Sequence, residues 1–349
     1  MKSLYDFTYE QLEDLMLSIN EKKFKADQLY RWLYQSKVNC FDDMTNIKKD
    51  LIEFLNNNYS INLLKIRETQ IASDGTIKFL FELKDKNLVE TVLMRFEYGN
   101  SICVTTQLGC NMGCRFCASG LLKRVRNLTS GEIVGQLITA LNYLNTHEGP
   151  NQRIDNIVVM GIGEPFDNYD NVLDFCKIVN HPKGLAIGAR HITISTCGVV
   201  PKIKQFADEQ KQFNLAISLH APNDKLRSEL MPINNAYNLK QLLESLKYYS
   251  NKSNRKITFE YIMIKDKNDT KECAIELSKL VKGLNSYINL INYNSVDENG
   301  YQGSSHKTML QFYDVLMKNN VKATIRNKVG DDIDAACGQL RAKHEVKNK

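Results

Sequence analysis

The chain has no apolar stretch long enough to cross a bilayer, which argues against an integral helical membrane protein. Its first residues, Met1-Lys2-Ser3-Leu4-Tyr5-Asp6, lack the apolar core of a secretion signal. Nine cysteines without such a signal point to reduced thiols used for ligation or catalysis, not to a disulfide framework, and a cytoplasmic location is expected. No low-complexity linker and no internal sequence repeat is visible, and the abundance of Lys, Asn and Ile reads as compositional bias. Neither charge sign dominates: a net charge of +6 permits a nucleic-acid partner without demanding one. What is present is ordinary for a globular enzyme. Apolar residues make up 43% and charged residues 25% of 349 positions, enough for one large domain and a small one.

Against this plain background one segment stands out, Cys110-Asn-Met-Gly-Cys114-Arg-Phe-Cys117. The spacing packs three thiolates onto one short loop, close enough to hold one polynuclear iron–sulfur cluster. Such clusters normally take four cysteines, so three leave one iron open. The segment resembles the radical S-adenosylmethionine (radical SAM) enzymes, in which the open iron chelates the methionine end of the cofactor. A partial zinc site or a chance group of buried cysteines are the alternatives. Zinc sites more often add a second Cys-x2-Cys arm or histidines, and no second pair follows here.

The first eighty or so residues read as helices, at 9–18, 26–35 and 46–57, with Leu12, Leu29, Trp32 and Leu51 at helical spacing. Lysines scattered among them, including Lys22, Lys23, Lys25, Lys37, Lys48 and Lys49, are either solvated or grip phosphates, and both readings stay open. A short β region follows at 76–83 and 89–96. Strands are then expected at 102–106, 156–160, 191–195, 214–219, 256–262 and 287–291. Helices are expected at 130–144, 169–178, 201–207, 239–249, 270–281 and 306–318, with Thr129 and Glu132 as a capping box for the first. Six β-then-α units imply parallel strands and right-handed crossovers. The expected fold is α/β, a partial (β/α)6 barrel with a small N-terminal helical accessory domain. The divisions are 1–75 (helical, RNA-contacting), 76–96 (β-rich connector), 97–329 (barrel) and 330–349 (tail).

Chemistry in such a barrel gathers at the C-terminal strand ends, where several polar residues fall. Gly161-Ile-Gly163-Glu164-Pro165 lacks the third glycine of a dinucleotide fingerprint, so Glu164 reads as a carboxylate for a ligand ammonium group. Ser195, Ser218, His220 and Asn294 follow successive strands and are candidate ribose, carboxylate or adenine contacts. Near the end, Gly330-Asp-Asp-Ile-Asp-Ala-Ala-Cys337-Gly-Gln-Leu340 places a cysteine among small residues beside three acids. It is either a buried thiol in a turn or a flexible nucleophile reaching into the barrel, with Cys103 a candidate partner. Glu90 is a surface strand residue or a general base, and the residues alone favour the surface.

Together, Gln107-Leu-Gly-Cys110 through Cys117-Ala-Ser119, Gly163-Glu164-Pro165, Leu219-His220-Ala-Pro-Asn-Asp224, Leu230-Met-Pro-Ile-Asn234, the Cys337 segment and Phe24-Lys-Ala-Asp-Gln28 with Trp32 resemble the RlmN family. These enzymes are dual-specificity adenine-C2 methyltransferases of 23S ribosomal RNA and transfer RNA. The resemblance implies a [4Fe–4S] cluster on Cys110, Cys114 and Cys117. It implies a SAM site at Gly163, Glu164, Ser195, Ser218, Leu219, His220 and Asn294, with two SAM molecules used per turnover. It makes Cys337 the methyl-carrying cysteine, Cys103 its resolving partner and Glu90 the proton acceptor. Adenine C2 is electron-poor, so polar methyl transfer fails there. The family methylates the carrier cysteine, takes a hydrogen from it with a 5′-deoxyadenosyl radical, adds the resulting carbon radical to C2 and releases product by forming a Cys103–Cys337 disulfide. The implied partners are 23S ribosomal RNA, transfer RNA and an electron donor such as flavodoxin or ferredoxin. Nothing in the sequence requires more than a monomer.

Three departures from the family pattern are visible. Cys197 stands for a usual serine, which gives a ninth thiol near the site. Asn292 stands where a proline is usual, before Tyr293 and Asn294. The stretch Gly120-Leu-Leu-Lys123-Arg124-Val-Arg126 differs from a Gly-Gly pattern but keeps three charges, and RNA phosphate contacts are expected from Lys123, Arg124 and Arg126. The nearest alternative is the Cfr type, which methylates C8 of the same ribosomal adenine; Pro165 and Ala221-Pro-Asn-Asp224 look more like RlmN. A non-catalytic iron–sulfur RNA-binding or redox-sensing protein is an alternative of another class, against which the pair Cys103 and Cys337 argues.

Overall fold

The structure is a computed structural model and describes residues 1–296, 299–333, 335, 339 and 340. The N-terminal region begins with the two-residue strand β1 (Lys2–Ser3), which pairs in parallel with β2 (Tyr59–Ser60) and ties the region's two ends together. Between them lie α1 (Tyr9–Ser18), α2 (Phe24–Arg31) and α3 (Lys49–Asn58). Thr8 and Gln11 form a capping box that starts α1. The helix expected at 26–35 ends at Arg31 and loosens into a π-type turn, Trp32–Ser36, stopped by Lys37 in the left-handed region. Buried Tyr5, Tyr30 and Tyr34 join this region to one core shared with the rest of the chain. Tyr30 Oη donates to Ile178 O at 3.2 Å, and the Asp6 carboxylate accepts from Gly131 N at 2.8 Å. Lys25, expected among the exposed lysines, is buried and donates to Gln28 Oε1 at 3.0 Å.

The rest is built on one ten-stranded sheet. Three antiparallel strands, β3 (Lys65–Ile71), β4 (Ile77–Glu82) and β5 (Leu88–Phe96), lead into β6 (Gly99–Cys103). Beyond two short strands, described with the site below, β9 (Asn156–Val159), β10 (Ile192–Thr196), β11 (Asn214–Ser218), β12 (Ile257–Met263), β13 (Ser286–Asn292) and β14 (Ala323–Ile325) continue it in parallel, in that order from β6. The crossovers carry α4 (Ser130–His147), α5 (Tyr169–Asn180), α6 (Val200–Asp208), α7 (Asp224–Leu230), α8 (Leu239–Ser253), α9 (Lys271–Leu280) and α10 (His306–Lys318). The expected α/β architecture is present, and the capping box of Thr129 and Glu132 opens α4. Ile133, Val134, Leu137, Ile138, Leu141 and Leu144 recur at helical spacing on α4 and are all buried. Each such side chain stabilises the fold by about 1.5–3 kcal/mol. Among the described residues no helix is long and apolar enough to cross a membrane.

Three elements depart from expectation. Residues 65–71, placed in the helical first eighty, form an edge strand with no fully buried position, so they carry no apolar alternation to read. β14 is a seventh parallel strand of only three residues. The short helix α7, capped by Asn223, follows β11 directly.

Candidate active site

β7 (Gln107–Leu108) and β8 (Arg126–Asn127) pair antiparallel and pinch shut the loop that carries three cysteines. Inside it Cys110 N donates to Leu122 O at 2.9 Å, and Arg115 N reaches Leu230 O at 3.0 Å. Phe116 and Ala118 pack with Met231, Ile262 and Ile291 and hold the loop against the strand ends. Cys110, Cys114 and Cys117 all line a cavity of about 150 Å³, partly open to solvent. Among the described residues no three His, Cys, Asp or Glu side chains are grouped closely enough to hold a single metal ion; the three cysteines share the cavity wall instead. Burial pushes the Cys110 thiol up to about 12, with repulsion from Cys117 and Glu164 adding to it. Burial and the two neighbouring thiols push Cys114 up as well. Thiols that oppose one another's ionisation in this way suit a bound cationic centre, which deprotonates its thiol ligands.

Opposite the cysteines stands Glu164. Its carboxylate accepts from Phe166 N at 3.0 Å, which caps the turn Pro165–Asn168, and from Cys197 N at 2.8 Å. Burial pushes its pKa up even though those N–H groups oppose the shift. A buried carboxylate lining a cavity fits a cofactor amino group. Gly163 makes the approach feasible: its φ is +109°, and an added Cβ would sit 2.7 Å from Cβ and Cγ of Gln107. Gln107 in turn accepts from Glu164 N at 2.8 Å. Gly163→Ala is therefore expected to cost about 1–3 kcal/mol and to unseat Glu164. Urea denaturation checks this, and an unchanged midpoint would contradict it.

Ser195, Ser218 and His220 also line the cavity, while Leu219 is fully buried in the main core and does not line it. His220 has φ +56° and accepts from Ile262 N through Nδ1 at 3.0 Å, which leaves the proton on Nε2. Burial pulls its pKa down to about 3, so the ring is neutral. Asn268 fixes the same corner by donating to His220 O and Ile262 O at 2.8 and 2.6 Å. Beneath the mouth lies Arg227, fully buried. It donates to Cys197 O at 2.7 Å, Asn234 Oδ1 at 3.0 Å, and Ser218 O and Leu219 O at 3.3 Å.

Cys103 and Asn294 line a small adjoining cavity of about 30 Å³, which shares Met160, Ile291 and Arg326 with the first. Asn294 Oδ1 is buried with no hydrogen-bond partner among the described residues. Cys103 packs with Met94, Ala335 and Leu340. Cys337 lies outside the described residues. Glu90 is buried, not at the surface, because β5 is covered on both faces; it lies 3.9 Å from Lys78 Nζ and lines neither cavity. Of the three expected RNA cations, Arg126 is held by Glu132 and Asp85, Arg124 pairs with Asp167 at 3.3 Å, and Lys123 is exposed. Sequence reasoning missed Arg227, Arg326 and Glu260, a cavity-lining carboxylate that accepts from Asn289 at 3.1 Å. The signal for Glu260 was there: one charge inside an apolar parallel strand.

A three-cysteine loop closing a cavity at the carboxyl ends of a parallel sheet defines a radical SAM site, and residues 104–277 match the Radical SAM superfamily. That superfamily implies a [4Fe–4S] cluster and SAM. Residues 2–61 match the Ribosomal RNA large subunit methyltransferase N-terminal domain. The chain is 54% identical over 98% of its length to a probable dual-specificity RNA methyltransferase RlmN from Acholeplasma laidlawii, of which it covers 99%. A protein of the same name from Enterococcus faecalis is 53% identical over 100% of this chain and 98% of its own. The crystal structure of a radical SAM methyltransferase from Sphaerobacter thermophilus matches with a TM-score of 0.92 and 38% identity, over 98% of this chain and 100% of that one. The chain belongs to the RlmN family of radical SAM methyltransferases.

Proposed function

We propose that the protein methylates C2 of one adenosine in 23S ribosomal RNA, at the peptidyl transferase centre, and of one in transfer RNA, next to the anticodon. The observation that carries this reading is that Cys103 shares one apolar cluster and one cavity lining with Ala335 and Leu340, which lie two residues before and three after Cys337 in sequence. A second thiol beside the segment that brings Cys337 is what release from a methyl-carrying cysteine needs. Likeness to relatives named as dual-specificity RNA methyltransferases supports RNA as substrate.

In this reading Cys110, Cys114 and Cys117 would hold the cluster, and Glu164 with Gly163 would take the amino group of SAM. Ser195, Ser218, Leu219 and His220 surround the remainder, and Asn294 offers its buried carbonyl from the adjoining cavity. When bound, the cluster and two SAM molecules per turnover supply the methyl group and the one-electron chemistry that an electron-poor C2 requires. Cys337 carries the methyl group to the base. Cys103 then attacks the Cys337 sulfur: an S–S bond forms, the bond from that sulfur to the product carbon breaks, and the carbon takes a proton. An external thiol reductant reopens the disulfide, and a donor such as flavodoxin or ferredoxin supplies electrons. Burial shields Cys103 from solvent oxidants between turnovers. The adenine must leave its stack to be reached. In this reading the exposed Lys22, Lys48 and Lys49 of the N-terminal region (1–75), with the exposed Lys123 and Arg124, meet RNA phosphates; their exposure supports this. The protein works as a monomer in the cytoplasm.

Mass spectrometry of nucleosides tests this, using RNA incubated anaerobically with reconstituted protein, SAM and a reductant. Ribosomal and transfer RNA lacking the modification are run separately. 2-Methyladenosine from both is expected; 8-methyladenosine would assign the protein to the Cfr type, and neither product from intact cluster would overturn the substrate.

A further inference from the structure

The three acids beside Cys337 have no part in the chemistry above, yet Asp332, one of the two described, meets a distant hairpin together with Gly330. The turn between β3 and β4 carries Ser73, Asp74 and Thr76. Asp74 accepts from Gly330 N at 2.9 Å through one oxygen and from Thr76 N at 2.9 Å through the other. Asp332 returns the contact, accepting from Ser73 N at 2.9 Å. Two carboxylates thus exchange places, each capping the backbone of the other's segment. Those Ser73 contacts hold Asp332 below the usual carboxylate range. Lys328 pairs with Asp331 at 3.1 Å on the outer side.

A third contact reaches inward. Lys78, on β4, donates to Ile333 O at 2.5 Å, four residues before Cys337. The same Nζ lies 3.9 Å from Glu90 Oε1 on the neighbouring strand, and both side chains are largely buried. Gly330 sets the start of the segment. Its φ is +63°, and an added Cβ would lie 2.8 Å from Ala335 Cβ and 3.0 Å from Thr76 Cγ2. Ile333 N and Ala335 N both return to Gly330 O, at 3.3 and 3.1 Å, so Gly330 to Ile333, with Ala335, are folded onto the hairpin. Ala335 then packs in the cluster that contains Cys103.

We propose that the β3–β4 hairpin, through Asp74 and Lys78, is the anchor that fixes the chain before Cys337 and so delivers the carrier cysteine to Cys103 and the cofactor cavity. Glu90 acts through Lys78, holding its ammonium group at the Ile333 carbonyl. Lys78, Asp74 and Glu90 are positioning residues, and this assignment rests on the carrier role of Cys337 given above. It also explains why an exposed edge hairpin far along the chain carries an aspartate that bonds both its own turn and Gly330.

The test uses full-length, cluster-reconstituted protein carrying Asp74→Ala, Lys78→Met, Lys78→Arg or Glu90→Gln. Asp74 is exposed, so its variant leaves the core intact, and melting curves check the others. Hydrogen exchange of the amides at 329–333 should quicken about tenfold in Asp74→Ala and Lys78→Met, with exchange in β10–β12 unchanged. The kcat for methyladenosine formation should fall about tenfold while KM for SAM stays constant, and Lys78→Arg should recover most of it. Unchanged exchange at 329–333 in both variants overturns the anchor, as does quickened exchange with kcat intact. In Glu90→Gln, lost activity with unchanged exchange removes Glu90 from the anchor and makes it a proton acceptor. If the native protein forms no methyladenosine, the functional reading fails on its own, and the exchange arm still decides whether the hairpin holds the segment.

Discussion

Replacing Arg227 with methionine is expected to destabilise the protein by about 3–5 kcal/mol, the largest loss foreseen for any single position at this site. Methionine fills much of the same space but donates nothing. The carbonyls of Cys197, Ser218 and Leu219 and the amide oxygen of Asn234 would then lose a shared donor in a fully buried place. A buried acceptor left unpaired costs about 1–3 kcal/mol, and relaxation of the loops recovers part of the sum. Lysine should rescue little, because one ammonium group cannot reproduce the guanidinium fork. The effect should reach the cofactor site as well. Cys197 O is the strongest of the four contacts, and Cys197 N holds the Glu164 carboxylate. Guanidinium denaturation of the native and variant proteins checks the stability, and SAM binding by whatever fraction remains folded checks the coupling. A loss under about 1 kcal/mol would mean that water replaces the arginine at this point.

The same residues show what a sequence can and cannot disclose. The parallel strands were legible because burial on both faces favours apolar runs, as in Leu215–Ile217 of β11 and in Ile257–Met263, broken in the latter only by Thr258 and Glu260. Long amphipathic helices such as Ser130–His147 were legible from spacing and from a capping box. Lys65–Ile71 was not, because an edge strand with no fully buried position leaves little apolar alternation. Glu90 was misplaced at the surface since a lone carboxylate in a strand usually points to water; here Lys78, twelve residues earlier, meets it inside the protein.

At the candidate site the cysteine triplet and Gly163-Glu164 were legible because their chemistry is local: ligand spacing in one case, a strained turn with an acid in the other. Arg227 and Asn268 were not, because their work lies in contacts to backbone carbonyls brought together only by the fold. Nothing in the run Asp224-Lys-Leu-Arg227 separates a buried arginine from a solvated one. The adjoining cavity was equally hidden, since it joins the end of β6 to residues more than two hundred positions later. The family likeness named its cysteines, but only the folded chain places Ala335 and Leu340 against Cys103.

Glu164→Gln is expected to weaken SAM binding by about a hundredfold while leaving the cavity's size nearly unchanged. The carboxylate offers acceptors to Phe166 N and Cys197 N and still presents charge to the cavity. Glutamine has one acceptor, so its amide nitrogen must face one of those N–H groups or turn toward the ligand's own donor. The substitution therefore carries a local stability cost of about 1–3 kcal/mol as well as a binding cost, and the two are separable. Thermal unfolding of the SAM-free variant measures the first. Equilibrium binding to cluster-loaded protein measures the second, and a SAM analogue without the α-amino group supplies the control. If Glu164 receives that amino group, the analogue should bind native and variant proteins with similar affinity, because the partner of the carboxylate is already gone. A hundredfold difference that persists with the analogue would show that Glu164 merely holds the Phe166 turn and the Cys197 strand end in shape. Equal binding of SAM itself to both proteins would remove the carboxylate from the cofactor site altogether.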